Sequence, residues 1–159
     1  MPIETCIPTM SPENPLDPFM KIALSMAERH YDYYTKTAEE VEHPNIKALL
    51  LVLAETEGEL VGQIHHMMAT GILDEIEEMG RVEPGDDPPD DTPISPERMD
   101  RDPRIYVCNR ALEQEVKGYT FYLSMAARAR SELISRMFEY LAFIKSQQIE
   151  KIRNVCESF

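Results

Sequence analysis

The sequence predicts an all-α protein in which four helices form a bundle from two copies of one helical hairpin, joined by a long crossover. Apolar residues recur at helical spacing through four stretches of the chain. An acidic, proline-rich segment separates the second stretch from the third. The two halves also align without a gap when the chain is shifted by 88 residues. Ala23, Leu24, Tyr31, Tyr34, Ala38, Ile46, Leu53, Ala54 and Ile64 then fall on Ala111, Leu112, Tyr119, Tyr122, Ala126, Ile134, Leu141, Ala142 and Ile152.

Residues 1–17 are broken by prolines and are expected to run extended over the surface, ahead of a single domain spanning 18–159. The first helix is expected over 18–42, where Ile22, Ala23, Met26, Ala27, Tyr33 and Tyr34 recur at helical spacing. His43-Pro44 interrupts it, and proline suits the first turn of a following helix. The second helix is expected over 44–79, with Ile46, Leu49, Leu50, Leu53, Leu60 and Ile64 on one face and Gly71 or Gly80 at its end. Residues 80–103 hold six of the twelve prolines, with eight acidic residues against three arginines, and cannot form a core helix. The third and fourth helices are expected over 103–130 and 132–156, with a break near Ser131.

Two hairpins joined by a long crossover is the connectivity of ferritin-like bundles, which also explains the length of the 80–103 segment. Coiled coils fit less well because no heptads are sustained. Solenoids need at least three repeats.

Composition narrows the function classes. Apolar residues are 43% and charged residues 28%, which is ordinary for a globular protein. The formal net charge of −13 argues against nucleic acid, whose phosphates require a concentrated basic face. No stretch approaches the roughly 20 apolar residues that span a bilayer, and no signal peptide is expected, because the first residues lack a basic stretch followed by an apolar run. Cys6, Cys108 and Cys156 are scattered and form no CxxC pair, so a rubredoxin-type or zinc-ribbon site is not expected. An odd, scattered set suits a reducing compartment, and a cytoplasmic location is expected.

The segment ALEQEVKGYTFYLSMAARA, Ala111 to Ala129, resembles the third helix of rubrerythrin-type proteins, with Glu115 six residues before Phe121-Tyr122. ALSMAERHYDYY in the first half has the same frame, and LAETEGEL and LAFIKSQQ resemble the second and fourth helices. The resemblance covers about residues 20–79 and 104–155. It implies a ferritin-like fold, a homodimer, and a di-iron centre in which each hairpin supplies a Glu and a Glu-x-x-His. Relatives of this kind are metal-dependent oxidoreductases acting on peroxide or handling iron and oxygen.

Carried over position by position, two of the six ligand positions survive, Glu57 and Glu115. The other four have become Ala27, Leu60, Lys145 and Gln148. Lys145 puts a cation where a carboxylate is expected, facing Glu57 and Glu115. Gln148 can donate and accept, and Tyr34 and Tyr122 are placed to hydrogen-bond into the same network. The expectation is a salt-bridge core in place of a di-iron centre, with no cofactor and no catalytic residue.

The alternative is a remodelled site for iron, manganese or zinc on His30, Glu57 and Glu115. His30 lies one turn from Ala27, and its repeat partner Gly118 leaves room opposite. That site would require Lys145 to be neutral or turned away. A redox function would also need a separate electron donor, since no rubredoxin-like cysteines are present. His65-His66 is expected to face solvent or a subunit contact, and Glu75, Glu77 and Glu78 to form a solvated helix end.

Overall fold

The structure is a computed structural model and describes residues 17–70 and 88–159. Among the described residues there are four α-helices: α1 (Asp17–Glu40), α2 (Pro44–Thr70), α3 (Pro103–Arg128) and α4 (Glu132–Cys156). α1 packs against α2 and α3 against α4, and α2 touches both helices of the second hairpin. The result is an all-helical bundle built from two hairpins. None of the described helices is long and apolar enough to cross a membrane.

Local chemistry sets the helix ends. α1 stops two residues before the expected 42, with the Val41 N–H closing the last turn on the Thr37 carbonyl. His43 then accepts from the Ile46 N–H through Nδ1 at 3.4 Å, and Pro44 opens α2. The expected extension of α2 to 79, its glycine stop, and Glu75, Glu77 and Glu78 lie outside the described residues, as does all but Asp17 of the 1–17 segment expected to run extended; Asp17 opens α1. At α3, Asp102 caps the first turn by accepting from the Arg104 N–H at 3.0 Å. Hydrogen bonds from Arg104, with further help from Arg98, hold its carboxyl well below the usual range. α3 ends at Arg128, two residues short of expectation, because Ala129 is extended and Ser131 caps α4 through the Ile134 N–H.

The core lies between the hairpins. Tyr34, Leu50, Leu53, Leu60 and Ile64 come from the first, and Ile105, Tyr122, Phe138, Leu141 and Ile152 from the second. Burying side chains of this size contributes about 1.5–3 kcal/mol each before conformational entropy is charged against it. Met20, Met67 and Met137 complete the packing.

The described part of the crossover, 88–102, is tied to the second hairpin as a strap. Asn109 of α3 clamps the backbone of Ile94 from both sides, accepting its N–H at 2.7 Å and donating to its carbonyl at 2.9 Å. Arg153 of α4 donates to the carbonyls of Asp90 and Thr92 and pairs with the Asp90 carboxylate at 3.3 Å. Ile94 is buried, and Ser95 takes a left-handed conformation, φ 40°, ahead of a short 3-10 turn, Pro96–Arg98.

One expectation about the cysteines is overturned. Cys108 and Cys156 form a disulfide with Cα atoms 6.2 Å apart, so two of the scattered cysteines are paired, while Cys6 lies outside the described residues. The antiparallel hairpin is the reason: residues 108 and 156 are equidistant from position 132, where α4 begins, so its arms bring them level. This removes the basis for reading the cysteines as the mark of a reducing compartment.

Candidate functional site in the bundle core

Each helix contributes polar side chains to one buried cluster. α1 supplies His30 and Tyr34, one turn apart, and α2 supplies Glu57. α3 supplies Glu115 and Tyr122, and α4 supplies Lys145 and Gln148 at i, i+3 spacing on one face. His30 is 8% exposed, while Glu57, Glu115, Lys145 and Gln148 have no solvent exposure.

Lys145 is the hub. An ammonium carries three donors and no acceptor. Nζ meets three acceptors: Glu57 Oε1, which it contacts directly, His30 Nδ1 at 2.7 Å, and Glu115 Oε2 at 3.1 Å. His30 Nδ1 lies 3.7 Å from Glu57 Oε1 and 3.6 Å from Glu115 Oε2, so its close neighbour is the ammonium. A charged Lys145 offers only N–H donors, so His30 Nδ1 faces it as an acceptor.

Gln148 Nε2 ties the carboxylates together, donating to Glu57 Oε1 at 3.1 Å and Glu115 Oε1 at 2.9 Å. Tyr34 donates to Glu115 Oε2 at 2.5 Å. Burial alone would raise the Glu57 pKa, but the Lys145 charge and the hydrogen bonds around Glu57 outweigh it and hold the carboxyl below the usual range. The Tyr34 and Tyr122 hydroxyls are pushed well above the usual tyrosine value, chiefly by burial and then by the two glutamates.

Tyr122 does not join the network as expected. Its hydroxyl is buried and has no hydrogen-bond partner. Exchanging the hairpins turns the Tyr34–Glu115 pair into Tyr122–Ala27, and alanine cannot accept. The Gln148–Glu115 contact likewise becomes Leu60–Ala27. The site is therefore lopsided, with its polar atoms gathered on one side and Ala27 and Leu60 filling the other. Glu57 Oε2 and Gln148 Oε1 also have no partner.

The space expected opposite His30 is taken. A Cβ on Gly118 would stand 3.1 Å from Lys145 Cε and 3.2 Å from His30 Cε1, so glycine makes room for these two side chains. His65 and His66 are both exposed.

His30, Glu57 and Glu115 could hold a metal ion, since each offers a ligand atom and these lie within 4.8 Å of one another. The fit fails at the centre of the set, where Lys145 Nζ already makes hydrogen bonds to all three. A divalent ion at about 2.0–2.2 Å from the same atoms would meet the ammonium. Comparison with protein-family models, curated proteins and solved structures gives no match for this chain.

Proposed function

We propose that this chain is a ferritin-like bundle of the rubrerythrin type in which an internal lysine has taken the place of the metal centre. It acts as a non-catalytic structural or interaction protein and forms a homodimer, as the resemblance implies. The observation carrying this reading is the position of Lys145 Nζ, hydrogen-bonded to His30, Glu57 and Glu115 together. One fixed cation answers the two carboxylates that two metal ions would otherwise neutralise. The repeated hairpins and the long crossover support the fold assignment.

Restoring the carboxylate tests the proposal. In Lys145→Glu three carboxylates and His30 face one another, and zinc or ferrous affinity measured by calorimetry is expected to rise at least about tenfold over the parent chain. An unchanged affinity in a folded variant would count against the correspondence of Lys145 with a ligand position.

A second reading rests on the 4.8 Å donor set. Here His30, Glu57 and Glu115 hold a single iron, manganese or zinc ion, and a separate protein supplies electrons for a redox reaction. It requires Lys145 to leave the centre or give up its proton. Stoichiometric binding by the unaltered chain, lost in Glu115→Ala, would favour it.

A further inference from the structure

Among the described residues the hairpins differ in what covers them. On the second, Tyr119, Ser146, Ile149 and Arg153 line a hollow of about 460 Å³, one wall of which is the strap residues Pro89 and Asp90. Shifting by 88 residues carries Tyr119, Ser146 and Ile149 onto Tyr31, Gly58 and Val61. These three, with Glu28 and Asp32, line a hollow of about 410 Å³ between α1 and α2. Among the described residues no strap walls this second hollow. Tyr31 is accordingly 40% exposed where Tyr119 is 7% exposed, and Leu24 is half-buried where Leu112 is buried. A Cβ on Gly62, the counterpart of Glu150, would meet nothing within 4 Å.

The sequence ahead of α1 resembles the strap ahead of α3. The strap reads Ile94-Ser95-Pro96-Glu97 and leads into Asp102-Pro103. Residues before α1 read Met10-Ser11-Pro12-Glu13 and lead into Asp17-Pro18, with one residue fewer between. An apolar residue followed by Ser-Pro-Glu therefore precedes each hairpin.

We propose that the α1–α2 groove at Tyr31, Gly58 and Val61 is a docking site for the chain's own segment of residues 4–13, with Met10 taking the part of Ile94. The length suffices. Tyr31 lies 14 residues into α1, about 21 Å along its axis, and 16 residues of extended chain reach roughly 50 Å. The clamp positions Asn109 and Arg153 correspond to Lys21 and His65, both exposed, while the hollow itself is lined by Glu28 and Asp32, so the shared Ser-Pro-Glu motif and the length of chain, not charge, point to this occupant. Main-chain hydrogen bonds and one apolar anchor, the strap's mode on the second hairpin, suit a short extended segment.

The proposal concerns the outer face of the first hairpin and is independent of what fills the core. To test it, Cys6 of the full chain, which the same register aligns with the strap's Asp90, is replaced by the photo-crosslinker p-benzoylphenylalanine, the protein is irradiated, and the adducts are mapped by mass spectrometry. The expected result is adducts within one chain on Tyr31, Val61 or their groove neighbours, with most of that adduct lost in Gly62→Trp. Circular dichroism verifies that the Gly62→Trp protein stays helical. Adducts on the second hairpin, adducts only between chains, no adduct, or an adduct indifferent to Gly62→Trp would each overturn it.

Discussion

Tyr34 and Tyr122 occupy equivalent positions in the two hairpins, and both are fully buried. Tyr34 donates to Glu115 at 2.5 Å, whereas the Tyr122 hydroxyl has no partner. The difference traces to one position on the opposite helix, where Glu115 of α3 is matched by Ala27 of α1. Because a hydrogen bond to a charged group is worth about 1.5–3 kcal/mol and a buried unpaired hydroxyl is a liability, removing the two hydroxyls should have unequal effects. Tyr34→Phe is expected to lower stability by about 1.5–3 kcal/mol in urea unfolding. Tyr122→Phe is expected to be neutral or stabilising. Equal losses would contradict the assignment.

Lys145 is held by three acceptors, so its removal leaves two buried carboxylates facing each other. Lys145→Met is expected to cost about 3–5 kcal/mol. Adding Glu57→Gln should recover part of that loss, because the variant then buries one charge instead of two. A double-mutant cycle measures this coupling, and strict additivity would mean that Lys145 and Glu57 do not interact energetically.

The pH dependence follows from Glu57. Its pKa is lower in the folded chain than the usual 4.5, so the unfolded state binds more protons in the acid range. The stability it contributes is full above about pH 4.5 and declines as pH falls through the folded-state value. Unfolding free energies measured between about pH 3 and 6 should rise with pH, and the slope should flatten in Glu57→Gln. A slope unchanged by that substitution would show that other carboxylates account for acid sensitivity.

Two glycines offer a matched comparison. Gly118→Ala adds a methyl group 3.1–3.2 Å from Lys145 and His30, and overpacking of this kind typically costs about 1–3 kcal/mol. Gly62→Ala meets nothing, and should gain up to about 1 kcal/mol from helix propensity alone. Opposite signs in thermal or urea unfolding are the expected result.

The Cys108–Cys156 bond closes a loop with a sequence separation of 48 residues. In the chain-entropy treatment such a loop contributes about 4 kcal/mol. The Cys108→Ser, Cys156→Ser double variant should lose stability of that order and become insensitive to reductant. A wild-type unfolding midpoint that does not move on reduction would contradict a formed bond.

Much of this organisation was legible in the chain because it rests on periodicity. The internal repeat and the acidic break mark out the hairpins, and the expected ends of α3 and α4 lie within two residues of those observed. The cluster of Glu57, Glu115, Lys145 and Gln148 was legible through the resemblance to rubrerythrin-type helices, whose ligand positions these four residues occupy when carried over one by one. The partners that depend on registry between helices were harder to see. The orphaned Tyr122 was implicit in the Glu115–Ala27 mismatch, but only once the hairpins are exchanged in space. The disulfide was implicit in the symmetry of 108 and 156 about the α4 start. The Asn109 and Arg153 clamps left no pattern, because they bind backbone atoms of the strap, and backbone carbonyls carry no residue identity.

The central claim, that an internal lysine fills the place of a metal centre, is tested most directly by elemental mass spectrometry of protein purified without chelators or affinity metal. The expected result is below about 0.1 metal ion per chain, unchanged after aerobic incubation with ferrous iron. A stoichiometry near one or two ions per chain, abolished in Glu115→Ala, would contradict it and restore the metal site of His30, Glu57 and Glu115.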